Sequence, residues 1–184
     1  MQIIRTTFRS EYYSVDFYKD FLDSEQSAKL YELCLSLLKP FKIGNRRTNK
    51  TFGDEGLIYE IKFKNGTVRR PTEEWPEDIK KIKTRIEKLV DAKLNICVLQ
   101  YYPNGNVGIN PHRDKEMIHG TKICGLSLGE TRTLSMAYRS LEHDIKLPEG
   151  SLYIFNPPTN DFWSHSISKD SSKNPRISLT FRNY

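Results

Sequence analysis

Two stretches in the first half of the chain repeat apolar residues at the spacing of an amphipathic helix. The first runs from Ser24 to Leu38, and the spacing of Asp23 and Gln26 before it predicts a capping box. The second begins at Pro76 and carries an apolar stripe of isoleucine, leucine and valine, with most of its lysines outside that stripe. The pattern therefore predicts two helices, the first of which ends at Lys39-Pro40.

Beyond Leu94 the helical spacing disappears, and short runs of β-branched and aromatic residues alternate with turn signals. Such a series of short strands predicts a sandwich or jelly roll. Short strands are also predicted over residues 46–64, between the two helices. We therefore expect one α+β domain over residues 1–184, in which a helical front (1–94) packs on a β core (95–184). The predicted core strands cover residues 95–102, 123–128, 133–138, 151–155 and 176–181.

Composition narrows the class of protein. The 184 residues are 37% hydrophobic and 28% charged, and no apolar run approaches the roughly 20 residues of a membrane span. The first residues show no secretory signal, so we expect an intracellular monomer, cytoplasmic or nuclear, with no membrane partner. Three widely spaced cysteines without a CxxC pair exclude a zinc ribbon or a disulfide framework and indicate buried free thiols.

Charge is concentrated in the middle of the chain. Residues 39–94 contain 15 basic and 9 acidic side chains, an excess as large as the net charge of +6 of the whole chain. A basic segment of this kind is typical of proteins that bind phosphate groups, but an ordinary solvated helix face explains it equally well.

Three residues have the composition of a metal site. His112 and Asp114 flank Arg113, so on a strand both would project from one face, and His165 follows in a second candidate strand. Two histidines and one carboxylate form the facial triad of non-haem Fe(II) oxygenases. An HxD sequence alone is weak evidence, because chance and surface histidines account for most occurrences. His119 and His143 lie in polar surroundings, and we expect both to be exposed.

The strand at 176–182 places Ile177, Leu179 and Phe181 on one face and four polar residues on the other, including Arg176 and Arg182. On an ideal strand these two arginines would lie roughly 20 Å apart, at opposite ends of an elongated dianion around which the sheet curves. The alternative is a half-exposed edge strand with a wet polar face. The strand at 96–102 similarly places Gln100 and Tyr102 on one face.

The order and spacing of these motifs over residues 95–184 resemble the AlkB family of 2-oxoglutarate- and Fe(II)-dependent dioxygenases, which remove alkyl groups from nucleobases. The segment from Arg47 to Tyr59 also resembles the substrate lid of the animal DNA-repair branch. The motifs are Gln100-Tyr-Tyr-Pro-Asn-Gly105, His112-Arg-Asp-Lys-Glu116, Ser127-Leu-Gly129, Gly150-Ser-Leu-Tyr-Ile154, Trp163-Ser-His165 and Arg176-Ile-Ser-Leu-Thr-Phe-Arg182. The resemblance implies a double-stranded β-helix (jelly-roll) core with a β-rich lid.

The resemblance also implies roles for individual residues. Fe(II) would be bound by His112, Asp114 and His165, with O₂ as the second cosubstrate. The C1 carboxylate of 2-oxoglutarate would pair with Arg182 and its C5 carboxylate with Arg176, together with Tyr102, Gln100 and Thr180. The lid would bind the alkylated base, 1-methyladenine or 3-methylcytosine in DNA, and the methyl group would leave as formaldehyde. The expected substrate-binding residues are Tyr59, Ile61, Glu116, Gly53 and Arg47.

Two positions depart from the family pattern. Gln100 replaces the usual asparagine, which adds a methylene, and Ile61 replaces a stacking aromatic residue. Three alternatives remain at this point: the same oxygenase chemistry on RNA, protein or a small molecule; a catalytically silent nucleic-acid-binding module; and a jelly-roll metal isomerase or hydrolase. The last two are disfavoured because the triad and both arginines are present.

Overall fold

The computed structural model describes residues 5–38, 45–63 and 66–184, with the backbone alone at 61–63. The two main helices are α1 (Ser24–Leu38) and α2 (Glu77–Val90). At the start of α1 the Gln26 backbone N–H donates to Asp23 Oδ1 at 2.8 Å, and the Asp23 N–H donates to the Gln26 side chain. The predicted capping box is therefore confirmed, whereas the predicted stop at Lys39-Pro40 lies outside the described residues.

Thirteen strands and one short helix complete the described fold. A seven-stranded sheet has the order β1-β2-β11-β8-β13-β6-β3, a four-stranded sheet the order β10-β9-β12-β7, and β4 pairs with β5 as a separate hairpin. All strand pairs are antiparallel, apart from one isolated parallel bridge. The elements are β1 (Arg5–Ser10), β2 (Tyr13–Tyr18), β3 (Thr48–Gly53), β4 (Ile58–Phe63), β5 (Gly66–Pro71), β6 (Ile96–Tyr102), β7 (Ile109–His112), β8 (Ile123–Gly129), β9 (Arg132–Tyr138), β10 (Leu141–Leu147), β11 (Leu152–Phe155), α3 (Thr159–Phe162), β12 (Ser164–Ile167) and β13 (Arg176–Arg182).

The large sheet separates two hydrophobic cores. On its outer face, α1 and α2 bury apolar side chains such as Cys34 and Ile86 against the sheet. On its inner face, a second core that includes Trp163 fills the space toward the four-stranded sheet. This layering of two antiparallel sheets with helices on one side is the predicted jelly-roll core.

The alternation along β13 confirms the predicted two faces of that strand. Ile177, Leu179 and Phe181 belong to the outer core, so the intervening polar residues project between the two sheets. All seven residues of β13 are buried, which excludes the half-exposed edge strand considered as an alternative. The strand is central in its sheet, between β8 and β6.

The helical description of the front half was incomplete. Residues 5–18 form β1 and β2, and together with β3 they supply three of the seven strands of the large sheet. The three cysteines are buried free thiols, as expected. Over the described parts of the chain, no helix has both the length and the apolar character needed to cross a membrane.

Candidate active site

Three ligand side chains converge at one end of the space between the sheets. One donor atom from each of His112, Asp114 and His165 lies within 4.8 Å of the others. The Asp114 Oδ1 atom is 3.5 Å from His112 Nε2 and 4.0 Å from His165 Nε2. Two imidazole nitrogens and one carboxylate oxygen directed at a common point fit a divalent iron ion that keeps open coordination positions.

Strand pairing brings the two histidines together although 53 residues separate them. His112 at the end of β7 is the register partner of His165 in β12, and the ring centroids are 4.3 Å apart. The His112 Nδ1–H donates to the Asn110 carbonyl oxygen at 2.9 Å, which leaves Nε2 free as a metal ligand. His165 lies in a strand, as the sequence predicted.

Asp114 reaches the site in a different way from that predicted. The sequence interpretation placed it on the same strand as His112, but β7 ends at His112 and Asp114 lies in the loop that follows. Asn160 of α3 fixes this loop with two hydrogen bonds. Its Oδ1 accepts from the Asp114 backbone N–H at 3.0 Å, and its Nδ2 donates to the Asp114 carbonyl oxygen at 2.7 Å.

The charges and burial at the site keep Asp114 ionised and His165 neutral, the protonation states that a metal requires of these two ligands. Burial opposes ionisation of Asp114, but the Arg182 guanidinium, the hydrogen bond with His112 and the two imidazoles together outweigh it and keep the pKa of the carboxyl well below its ordinary value. Burial lowers the pKa of His165 to about 4, so this imidazole is neutral at pH 7. Burial also disfavours charge on His112, but hydrogen bonds to Asp114 and Asn110 reverse the effect and raise its pKa.

A narrow cavity extends from the triad along the inner face of the large sheet. Its walls include every residue predicted to bind 2-oxoglutarate. Both arginines are buried, with 1% exposure for Arg176 and 6% for Arg182. The lining residues predicted from the sequence are Gln100, Tyr102, Arg176, Thr180 and Arg182.

The two arginines retain donors for an anionic ligand. Arg182 Nη2 lies 3.1 Å from Asp114 Oδ2, and Arg176 Nε donates to Ser127 Oγ at 3.0 Å. Arg182 Nε and Arg176 Nη1, however, are buried without a hydrogen-bond partner. Among the described residues no carboxylate forms an ion pair with Arg176. Because buried guanidinium donors are costly when unpaired, this arrangement fits an elongated ligand with a carboxylate at each end.

A wider cleft opens from the triad toward solvent on the side of the β4–β5 hairpin. Tyr59, Glu116 and Arg47 line it, together with Gln100, His112, Asp114 and Arg182, which also line the narrow cavity. Tyr59 is only 9% exposed. The structure therefore brings three of the five predicted substrate-binding residues to a cleft that adjoins the triad.

Of the other two predicted substrate residues, Gly53 lies away from the cleft, and Ile61 is described only in its backbone. Gly53 ends β3, where a Cβ atom would lie 2.7 Å from the Thr72 hydroxyl, and it is not a lining residue of the cleft. The backbone of Ile61 pairs with Val68 in the hairpin, but its side chain lies outside the described residues.

The basic residues near the cleft fall into two groups. Lys50 and Arg69 make ion pairs within the chain, with Glu73 at 2.9 Å and Glu60 at 2.6 Å. Arg47 and Arg70 line the cleft, and Arg70 is exposed. Arg47 and Arg70 could therefore bind phosphate groups at the described cleft.

Sequence reasoning missed three residues that shape the site: Asn160, Tyr153 and Tyr184. Asn160 follows a Pro-Pro-Thr turn, a context that predicts only a loop. Tyr153 occupies an ordinary apolar position of β11 but lines the narrow cavity. The Tyr184 hydroxyl accepts the Glu60 backbone N–H of the hairpin at 2.8 Å, and its ring meets Tyr59 edge to face at 5.4 Å. These contacts join distant segments, so no local pattern could reveal them.

Comparisons with known proteins agree with this geometry. The family model described as the 2OG-Fe(II) oxygenase superfamily matches residues 15–182. The chain is 27% identical over 179 residues to a mouse protein named DNA oxidative demethylase ALKBH2, covering 89% of this chain and 73% of the mouse protein. The human protein of that name is 29% identical over 149 residues, covering 74% and 56%.

Another human protein, named alpha-ketoglutarate-dependent dioxygenase alkB homolog 3, is 31% identical over 126 residues, covering 61% of this chain and 44% of its own. The chain thus spans about half to three quarters of the length of these relatives. Among solved structures, that of OsALKBH1 superposes with a TM-score of 0.71 at 15% identity, covering 97% and 100% of the two chains. A Pseudomonas putida prolyl-4-hydroxylase superposes with a TM-score of 0.62 at 16% identity, covering 94% of each. Both similarities support the jelly-roll fold.

Proposed function

Because the chain belongs to the 2OG-Fe(II) oxygenase superfamily, we propose that it oxidatively removes alkyl groups from nucleobases in DNA, with 1-methyladenine and 3-methylcytosine as substrates. The oxygenase class itself follows from the family, whose members are Fe(II)- and 2-oxoglutarate-dependent dioxygenases that also consume O₂. The names of the mouse and human relatives support DNA as the substrate. The roles of individual residues below are part of the proposal.

His112, Asp114 and His165 would hold Fe(II), and their donor set and spacing fit that ion. When bound, the ion supplies the oxidation of a C–H bond by O₂, coupled to the conversion of 2-oxoglutarate to succinate and CO₂. The protein contributes orientation and the exclusion of water. Asp114 stays ionised beside Arg182, and the bond from His112 Nδ1 to Asn110 leaves Nε2 free to bind the metal.

The narrow cavity would hold 2-oxoglutarate in one orientation. Arg182, which is next to Asp114, would bind the C1 carboxylate near the metal, and Arg176 would bind the C5 carboxylate at the far end. The guanidinium of Arg176 also lies over the Tyr102 ring, 5.3 Å from its centroid. The Tyr102 hydroxyl donates to Gln100 Oε1 at 2.9 Å, so the extra methylene of glutamine still permits contact with the pocket tyrosine.

The observation that carries the proposal is the shared wall of the two cavities. His112, Asp114 and Arg182 line both the cosubstrate cavity and the cleft that contains Tyr59 and Glu116. A planar base in the cleft would lie beside the Tyr59 ring, with its methyl group toward the metal. Methylation at N1 of adenine or N3 of cytosine leaves a positive charge on the ring, which the Glu116 carboxylate would favour.

A base stacked within a duplex cannot enter such a cleft, so the substrate nucleotide must be flipped out or single-stranded. Methylation of the pairing edge lowers the cost of flipping because it prevents Watson–Crick pairing. Arg47 and Arg70, at the cleft, would bind the flanking phosphates. The target base and the backbone of the strand would then lie on the same side of the protein.

The test is a coupled product assay. The protein is incubated with Fe(II), ascorbate, 2-oxoglutarate and an oligodeoxynucleotide that contains 1-methyladenine, and both succinate and formaldehyde are measured. We expect the two products in equal amounts and neither from the His165→Ala variant. An unmethylated oligonucleotide of the same sequence controls for uncoupled turnover.

Each other outcome rejects a defined part of the proposal. Succinate without formaldehyde from any methylated DNA would keep the oxygenase and reject this substrate. Formaldehyde from methylated RNA but not from the matched DNA would replace DNA by RNA. No succinate with any substrate, despite metal binding, would contradict the assignment of an active oxygenase.

A further inference from the structure

Tyr153 lines the cosubstrate cavity but has no role in the function proposed above. Tyr153 lies in the middle of β11 and is 5% exposed. Its strand neighbours Leu152 and Ile154 belong to the outer core, whereas Tyr153 belongs to the core between the sheets. It lines the same narrow cavity as Tyr102, Arg176 and Arg182. A phenol thus faces a space whose other walls carry two buried cations.

The position of the Tyr153 ring is set by a glycine on the neighbouring strand. Tyr153 is the register partner of Gly125 in β8, and a Cβ atom at residue 125 would lie 2.1 Å from Cζ and 2.4 Å from the hydroxyl oxygen of Tyr153. The ring therefore leans across β8, over the space that any larger residue at 125 would occupy. Gly125 pairs in turn with Thr180 of β13, so the phenol end points toward the strand that carries both arginines.

The Tyr153 hydroxyl is available to donate a hydrogen bond to a ligand in the cavity, whereas the Tyr102 hydroxyl is not. The Tyr102 phenol has a single proton, and it is donated to Gln100. Burial raises the pKa of Tyr153 to about 12, and Arg176 is the charged group that counteracts this most strongly. The Tyr153 hydroxyl is therefore a neutral donor close to Arg176 at neutral pH. Neutral donors beside a guanidinium are suited to a carboxylate ligand.

We propose that Tyr153 is a cosubstrate-binding residue whose hydroxyl donates a hydrogen bond to the C5 carboxylate of 2-oxoglutarate at Arg176, in a space that Gly125 leaves open. This inference rests on the proposed orientation of 2-oxoglutarate in the cavity. It is independent of the nucleobase substrate, because it concerns the end of the cosubstrate that is remote from the cleft.

The test measures binding directly, without turnover. Calorimetry under argon gives the dissociation constants of 2-oxoglutarate and of oxalate for the Mn(II)-loaded protein. Oxalate chelates the metal but lacks the C5 arm. In Tyr153→Phe, which keeps the ring over Gly125, we expect 2-oxoglutarate to bind about tenfold more weakly, the effect of losing one hydrogen bond to a charged group. Oxalate binding should not change.

Tyr13→Phe is the matched control, because Tyr13 is a buried tyrosine of the same core and does not line the cavity. It should leave both dissociation constants unchanged. A 2-oxoglutarate constant within twofold of the native value in Tyr153→Phe would overturn the proposal. Equal weakening of oxalate and 2-oxoglutarate would also overturn it, since the residue would then act on the metal end. Neither result bears on formaldehyde release from methylated DNA, so the two proposals fail separately.

Discussion

Asn160 is the residue whose replacement tests most directly how the metal site is built. Its amide holds the Asp114 loop with bonds of 3.0 Å and 2.7 Å to the backbone N–H and carbonyl of the ligand residue. Asn160→Ala removes both. Each hydrogen bond contributes about 1 kcal/mol of net stability, so the loss of both destabilises the native conformation of the loop by about 2 kcal/mol. If this whole free energy must be supplied when the metal binds, the affinity for the metal falls about 25-fold, since about 1.4 kcal/mol corresponds to a factor of ten.

The assay is a titration of the metal-free protein with Co(II), followed by the visible absorption of the bound ion. A 25-fold loss lies within the 10- to 100-fold range typical of residues that orient metal ligands. Asn156→Ala is the matched control. Asn156 belongs to the same turn, but its amide donates to Asp16 Oδ2 of β2 at 3.0 Å, and among the described hydrogen bonds it has none with the Asp114 loop.

Asn160→Asp separates the two bonds. The carboxylate still accepts the Asp114 N–H, but it places an oxygen where Nδ2 faced the Asp114 carbonyl, so we expect Co(II) affinity below that of the native protein. Asn160 does not hold the ligand loop if Asn160→Ala binds Co(II) as tightly as Asn156→Ala while both melt at lower temperature than the native protein. The bonds would then stabilise the fold without holding the ligand.

Two further predictions concern the buried histidine and the hairpin. The pKa of His165 is about 4 in the folded protein and about 6.5 when unfolded, so only the unfolded state binds this proton between those values. The free energy of unfolding of the metal-free protein should therefore fall by up to about 3 kcal/mol as the pH falls from 6.5 to 4. Denaturant titrations at several pH values should show a weaker pH dependence for His165→Gln. The control variant His119→Gln, at an exposed histidine, should keep the native pH dependence. Tyr184→Phe removes the acceptor of the Glu60 N–H, so exchange of that amide hydrogen should accelerate up to roughly tenfold by mass spectrometry. No acceleration, or the same acceleration in the Tyr12→Phe control, would show that Tyr184 does not anchor the hairpin.

The sequence predicted those parts of the fold whose signals are local. Helix α1 begins at the predicted residue because its cap and its apolar stripe lie within 16 residues. The two faces of β13 follow from strict alternation, and the structure confirms them. The strands β1 and β2 were missed because Tyr12, in the turn between them, adopts a positive φ of 52° without a glycine to mark it.

The three candidate metal ligands were predicted as residues, but the way in which the chain brings them together was not. All three triad members meet, yet the strand assumed to carry both His112 and Asp114 ends at the histidine. The loop that follows is fixed by Asn160, 46 residues later in the chain. A contact of this kind depends on how β11, α3 and β7 are arranged in space. The periodicity of a sequence predicts local helices and strands, but it does not predict contacts between distant segments.

The burial of Arg176 without an acidic partner has a consequence for the lifetime of the protein. An unpaired guanidinium between two sheets opposes folding, and a dianion that enters the cavity removes that penalty. Ligand that binds only the native state adds RT ln(1 + [L]/Kd) to stability. Resistance to heat and proteolysis should therefore rise with the concentration of 2-oxoglutarate. The abundance of the enzyme would then follow the supply of its own cosubstrate, even when no damaged base is present.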